Sequence, residues 1–89
     1  MIERTVAITN KRGLHARASA KFVTMASELP CEVRVAKDGD SVVGTSIMGL
    51  MMLSAGPGSS ITVEATGRDA HAVIDALATL VSGRFTEEE

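Results

Sequence analysis

Tyrosine and tryptophan are absent from the chain, and Phe22 and Phe85 are the only aromatic residues among its 89 positions. Proteins that hold nucleic acid need flat side chains for bases to stack on and positive charge along the phosphates. A formal net charge of -2 adds no such footprint, so nucleic acid is not an expected partner. The single cysteine, Cys31, excludes an internal disulfide and cannot by itself hold zinc tightly. It reads as a small apolar residue near the start of a strand, and a reducing cytoplasm is the expected compartment. No apolar run approaches the length of a membrane span, and Met1 to Asn10 carries Glu3 and Arg4 where a signal peptide is continuously apolar. Membrane insertion is therefore not expected. His71 has no carboxylate or cysteine cluster near it in sequence and reads as a surface residue, so neither a metal nor any other cofactor is expected.

What is present is the balance of a globular domain, with 45% hydrophobic and 22% charged residues. A chain this short buries one modest core and encloses no deep cleft, which places any chemistry at its surface. Residues 1–85 are expected to form the one domain, a monomer, and residues 86–89, with Glu87, Glu88 and Glu89, an acidic solvated tail.

Ile2, Val6 and Ile8 alternate as in a strand with one buried face, over Ile2 to Thr9. Asn10-Lys11-Arg12-Gly13 ends it. From Ala18 onward, Phe22, Met25, Ala26 and Leu29 recur at helical spacing until Pro30 closes the helix. Glu32 to Lys37 and Ser41 to Thr45 alternate through Val33, Val35 and Val43, and Asp38-Gly39 between them is a strong hairpin signal. A short helix over Ile47 to Leu53 is stopped by Gly56-Pro57-Gly58, and Ile61, Val63 and Ala65 mark a fourth strand. The last helix runs from about Ala70 to Ser82, with Val73, Ile74, Leu77, Leu80 and Val81 on one stripe, Asp69 as its N-cap and Gly83 as its stop. The order β-α-β-β-α-β-α with short links predicts an α+β, two-layer open-faced sandwich: a four-stranded antiparallel sheet with three helices on one face.

Gly13-Leu14-His15-Ala16-Arg17 falls where the first loop meets the first helix, and backbone N–H groups there have no partner inside the helix. Such a junction binds anions. A phosphate on His15 would meet the amides of Ala16, Arg17 and Ala18, the positive end of the helix dipole and the Arg17 guanidinium together. Gly13 permits a tight approach and Leu14 anchors the loop in the core. Taken alone, His15 also reads as an ordinary exposed residue beside a helix cap.

Ser46 precedes the short helix and is first of all a good N-cap. If Leu50 and Leu53 face the sheet, the helical step turns Ile47, Met48 and Met51 outward with Met52 beside them, an aliphatic surface suited to docking several partners. Packing of the methionines in the core is the alternative. On the first helix, Ala20, Lys21 and Thr24 fall with Ala16 and Arg17 opposite the Phe22 stripe, a face of small residues and positive charge that suits an acidic partner. Lys21 alone reads as part of a solvated helix face.

Gly13-Leu14-His15-Ala16-Arg17, followed later by Ser46-Ile47-Met48-Gly49, resembles the HPr phosphocarriers of the bacterial phosphotransferase system, and the resemblance covers essentially the whole chain. It implies a relay in which Enzyme I, charged by phosphoenolpyruvate, phosphorylates the histidine matching His15, and a IIA-type domain takes the phosphoryl group away. It also carries to Ser46 a regulatory phosphorylation by HPr kinase/phosphorylase. The chain departs from the family pattern at Ala18 and Ser19, where proline then alanine are usual, and at Arg12, where a small polar residue is frequent. Ala18 restores a backbone donor that proline lacks and gives up its pre-set φ.

Two other classes compete. In a stand-alone enzyme, His15 would serve acid-base catalysis with Arg17 holding an anionic substrate, but so short a chain offers little pocket. A small regulatory α+β binding domain with no phosphotransfer role would leave the histidine incidental.

Overall fold

The computed structural model describes residues 1–86, arranged as β1 (Ile2–Ala7), α1 (Ala16–Ser27), β2 (Cys31–Lys37), β3 (Asp40–Val43), α2 (Ile47–Met52), β4 (Ser60–Gly67) and α3 (Ala70–Ser82). A single turn at Arg84–Thr86 follows. The expected acidic run Glu87 to Glu89 lies outside the described residues. The strands form one antiparallel sheet in the order β1-β4-β2-β3, so β4 lies between the first and second strands. Helices cover one face, giving the open-faced α+β sandwich that the element order predicts.

Alternation selects the buried face of each strand. Val33 and Val35 on β2 and Ile61, Val63 and Ala65 on β4 are buried, and they meet Phe22 and Ala26 of α1, Leu50 of α2 and Val73, Ile74, Leu77 and Val81 of α3 in one core. On the open face the cross-strand pair Thr5 and Thr62 shares a 3.0 Å hydroxyl hydrogen bond.

Three local readings change. Val42, not Val43, turns toward the core, because the two-residue turn sets Lys37 opposite Asp40 and therefore Val35 opposite Val42. Asp38 and Gly39 take φ of 51° and 88°, both left-handed as that tight hairpin turn requires, and Val43 is left exposed opposite Arg34. Asp69 occupies the cap position of α3 without capping it: with φ 60° it is left-handed and its side chain makes no cap hydrogen bond. Gly83 ends α3 as the sequence predicts, with an ordinary φ of -83°, and the left-handed residues are the two that follow, Arg84 and Phe85. That reversal drives Phe85 fully into the core. Finally, α1 begins at Ala16, two residues before the hydrophobic periodicity does.

Candidate functional site

The loop before α1 is pinned against the link that follows α2. Gly13 has φ +62°, and a Cβ placed on it would lie 2.1 Å from the Ala55 carbonyl oxygen. Glycine alone fits that approach. The next residue repeats the attachment, since the Leu14 N–H donates to the same carbonyl at 2.9 Å while its side chain is buried. Asn10, also buried, donates from Nδ2 to the Gly13 carbonyl at 2.8 Å.

His15 emerges from this anchored loop as the N-cap of α1, with extended backbone at φ -76° and ψ 179°. Its Nδ1 accepts a hydrogen bond from the Arg17 N–H at 3.1 Å, so the lone pair of that nitrogen points at the helix N-terminus. The ring is half-buried, and Ala16 and Arg17 beside it are exposed. Within the helix the amides of Ala16, Arg17 and Ala18 have no carbonyl to bond, because the first such bond runs from Ser19 to His15 at 2.9 Å. No acidic residue occupies the first turn, which leaves the positive end of the dipole uncompensated by a carboxylate there.

Ser46 is the N-cap of α2, its Oγ accepting from the Gly49 N–H at 3.0 Å. Leu50 and Leu53 are buried, whereas Ile47, Met48, Met51 and Met52 are exposed, Met48 by 72% and Met52 by 77%. The core alternative for these methionines is thereby removed. Since α2 packs against α1 and the 10–15 loop hangs on Ala55, the helix starts bearing His15 and Ser46 belong to neighbouring elements.

Along α1, Thr24 is exposed and Ala20 half-buried, and with Arg17, Lys21, Met25, Glu28 and Leu80 of α3 they line an open groove, positive at its Arg17 end and acidic at Glu28. Lys21 is not merely solvated: its Nζ donates to the Phe85 carbonyl at 2.7 Å and ties α1 to the turn after α3. Cys31 is half-buried and its thiol donates to the Arg68 carbonyl at 2.9 Å. His71 is exposed, as expected. No group of three or more metal-ligating side chains occurs among the described residues.

Sequence reasoning missed the roles of Asn10 and Ser19. Asn10 continues the inward parity of Ile2, Val6 and Ile8, and Ser19 lies on the Phe22–Ala26 stripe. A polar residue on a buried face was the signal, for such a residue needs a partner.

A family model, PTS HPr component phosphorylation site, matches residues 2–83. The chain belongs to the HPr family of the phosphotransferase system. It is 46% identical over 89 residues to the phosphocarrier protein HPr of Cupriavidus necator, covering 100% of both chains. Against the HPr of Pseudomonas aeruginosa the identity is 46% over 85 residues, 94% of each chain. The fold agrees with that of the HPr structure from Thermoanaerobacter tengcongensis at a TM-score of 0.93 and 42% identity, over 100% of both chains. HPr proteins are phosphocarriers, and no helix among the described residues of this HPr-family chain is long and apolar enough to cross a membrane.

Proposed function

We propose that this chain accepts a phosphoryl group from phosphorylated Enzyme I on His15 and passes it to a IIA-type domain. The observation that carries this reading is the aim of His15 Nδ1 at the first amides of α1. The Nδ1 lone pair attacks phosphorus, and the bond from phosphorus to the donor's leaving atom breaks with its electron pair returning to the donor. The Arg17 N–H, released from the ring nitrogen, then donates to a phosphoryl oxygen. The amides of Ala16 and Ala18 and the Arg17 guanidinium complete the neutralisation. Release to the IIA-type domain is the same displacement with the roles exchanged.

Docking is assigned to Ala20, Lys21 and Thr24 of α1 with Ile47, Met48, Met51 and Met52 of α2, an apolar surface bordered by positive charge. Ser46 is assigned as the site of a regulatory kinase of the HPr kinase/phosphorylase type. In this reading the protein is a cytoplasmic monomer, a carrier rather than a stand-alone catalyst, in a relay that serves sugar uptake or regulation. The test is intact mass after incubation with Enzyme I and phosphoenolpyruvate, before and after mild acid. One acid-labile phosphate, lost in His15→Ala, is the expected result; none taken up, or uptake unchanged in the variant, overturns the assignment.

A further inference from the structure

Among the described residues the buried polar side chains are Asn10 and Ser19, each with 0% exposure. They serve successive carbonyls of one short segment. Asn10 Nδ2 donates to the Gly13 carbonyl at 2.8 Å, and the Ser19 hydroxyl donates to the Leu14 carbonyl at 3.3 Å. The Ser19 N–H takes the next one, that of His15, at 2.9 Å. Both peptides that flank His15 are therefore held by Ser19, one through its side chain and one through its backbone. A fully buried hydroxyl is costly unless bonded, and alanine would fill the same apolar stripe without it. What the hydroxyl adds is orientation. The direction of Nδ1 depends on the side-chain torsions of His15 and on the backbone from which they start, and that backbone follows from the planes of the two peptides that Ser19 holds.

We propose that Ser19, with Asn10 behind it, is a positioning residue for His15: its hydroxyl fixes the Leu14 carbonyl so that Nδ1 faces the Arg17 amide when phosphorus arrives. The inference rests on reading His15 as the phosphoryl acceptor. It assigns Ser19 to the rate of transfer and not to partner affinity, since its side chain is inaccessible to a partner.

The test uses the full chain with substitutions Ser19→Ala and Ser19→Cys, and Ile74→Val as a control in the distant α3 core. Three quantities are read: the rate of His15 phosphorylation at saturating phosphorylated Enzyme I, the KM for Enzyme I, and the 15N chemical shift of His15 Nδ1. Loss of alignment predicts a rate about tenfold lower in Ser19→Ala with KM within about twofold of wild type. Ser19→Cys, whose thiol fills the space but donates weakly, is expected between the two, and the Nδ1 shift should move toward that of a ring without a hydrogen bond. Ile74→Val should lower the melting temperature and leave rate and shift at wild-type values. A Ser19→Ala rate no lower than that of Ile74→Val, a change confined to KM, or an unmoved Nδ1 shift each overturns the proposal. Should Ser19→Ala fail to fold, Ser19→Cys is judged by the same criteria. If wild-type protein takes up no phosphate, the carrier reading falls, and the Nδ1 shift alone then decides whether Ser19 orients the ring.

Discussion

Histidine is a poor choice for an N-cap when only stability is at stake, because serine, threonine, aspartate and asparagine fill that position better. His15 nevertheless caps α1 through Nδ1. Replacing it with aspartate should strengthen the cap and meet the positive end of the helix with a full negative charge, for a gain of about 0.5–1 kcal/mol. In a domain of this size that raises the melting temperature by a few degrees, roughly 4–8 °C per kcal/mol. Phosphate uptake from Enzyme I should vanish in the same variant, and a lower melting point would refute the cap argument. Arg17→Ala keeps the helix amides and removes one charge-assisted contact, about 1.5–3 kcal/mol, so transfer should slow by roughly ten- to more than a hundredfold without ceasing. An unchanged rate would remove the guanidinium from the phosphate site. At this scale the sequence disclosed the histidine and its arginine through their place at a loop-to-helix junction. The role of Ser19 was missed although its place on the Phe22–Ala26 stripe signals burial, because the Leu14 carbonyl that it bonds becomes evident only in the fold.

Among the elements, α2 separates buried from exposed apolar residues most clearly. Its Leu50 is buried while Met48 is 72% exposed. Met48→Asp should therefore lower affinity for Enzyme I, measured by titration calorimetry, and move the melting temperature little; a collapse in stability would return Met48 to the core. Phosphorylation of Ser46 adds about -1.5 to -2 charge where the Gly49 amide already donates to its oxygen, so the helix should hold or gain stability. The same charge beside Ile47, Met48 and Met51 must be desolvated on docking, and each ~1.4 kcal/mol of that cost lowers affinity tenfold. His15 phosphorylation by Enzyme I should be far slower with phosphorylated Ser46 than with Ser46→Ala, and equal rates would leave Ser46 a cap alone. Helix existence and the order of elements along the chain were legible from periodicity; the placing of β4 between β1 and β2 was not. Register was not: in β3 both Val42 and Val43 are apolar, and only the turn geometry determines which faces inward. The start of α3 at Ala70 was legible but its cap bond was not, since aspartate tolerates left-handed backbone and here adopts it without a side-chain cap.

Across the whole molecule, the decisive attachment is that of the histidine loop to the Ala55–Gly56 backbone. Gly13→Ala would meet the Ala55 oxygen and a φ of +62° at once, so it should destabilise the domain by well over ~1 kcal/mol and displace His15. Urea unfolding read beside the phosphorylation rate tests this: loss of rate without loss of stability would show the loop moving independently of the fold. The glycine was visible in sequence, but the partner it presses against lies forty-odd residues away and becomes evident only in three dimensions.

The sheet closes through its most distant partners, with Ile2 opposite Ala65 and Val6 opposite Ile61. During synthesis His15 leaves the ribosome well before the strand against which its own loop's preceding strand must pair. At about 5–20 residues per second, that interval is roughly 3–10 s of translation. Throughout it the nascent chain presents a histidine that has neither an anchored loop nor an oriented ring. With His15 as the proposed acceptor, the chain is expected to take up no phosphate until β4 has been made, and a product truncated before β4 should remain unphosphorylated by Enzyme I.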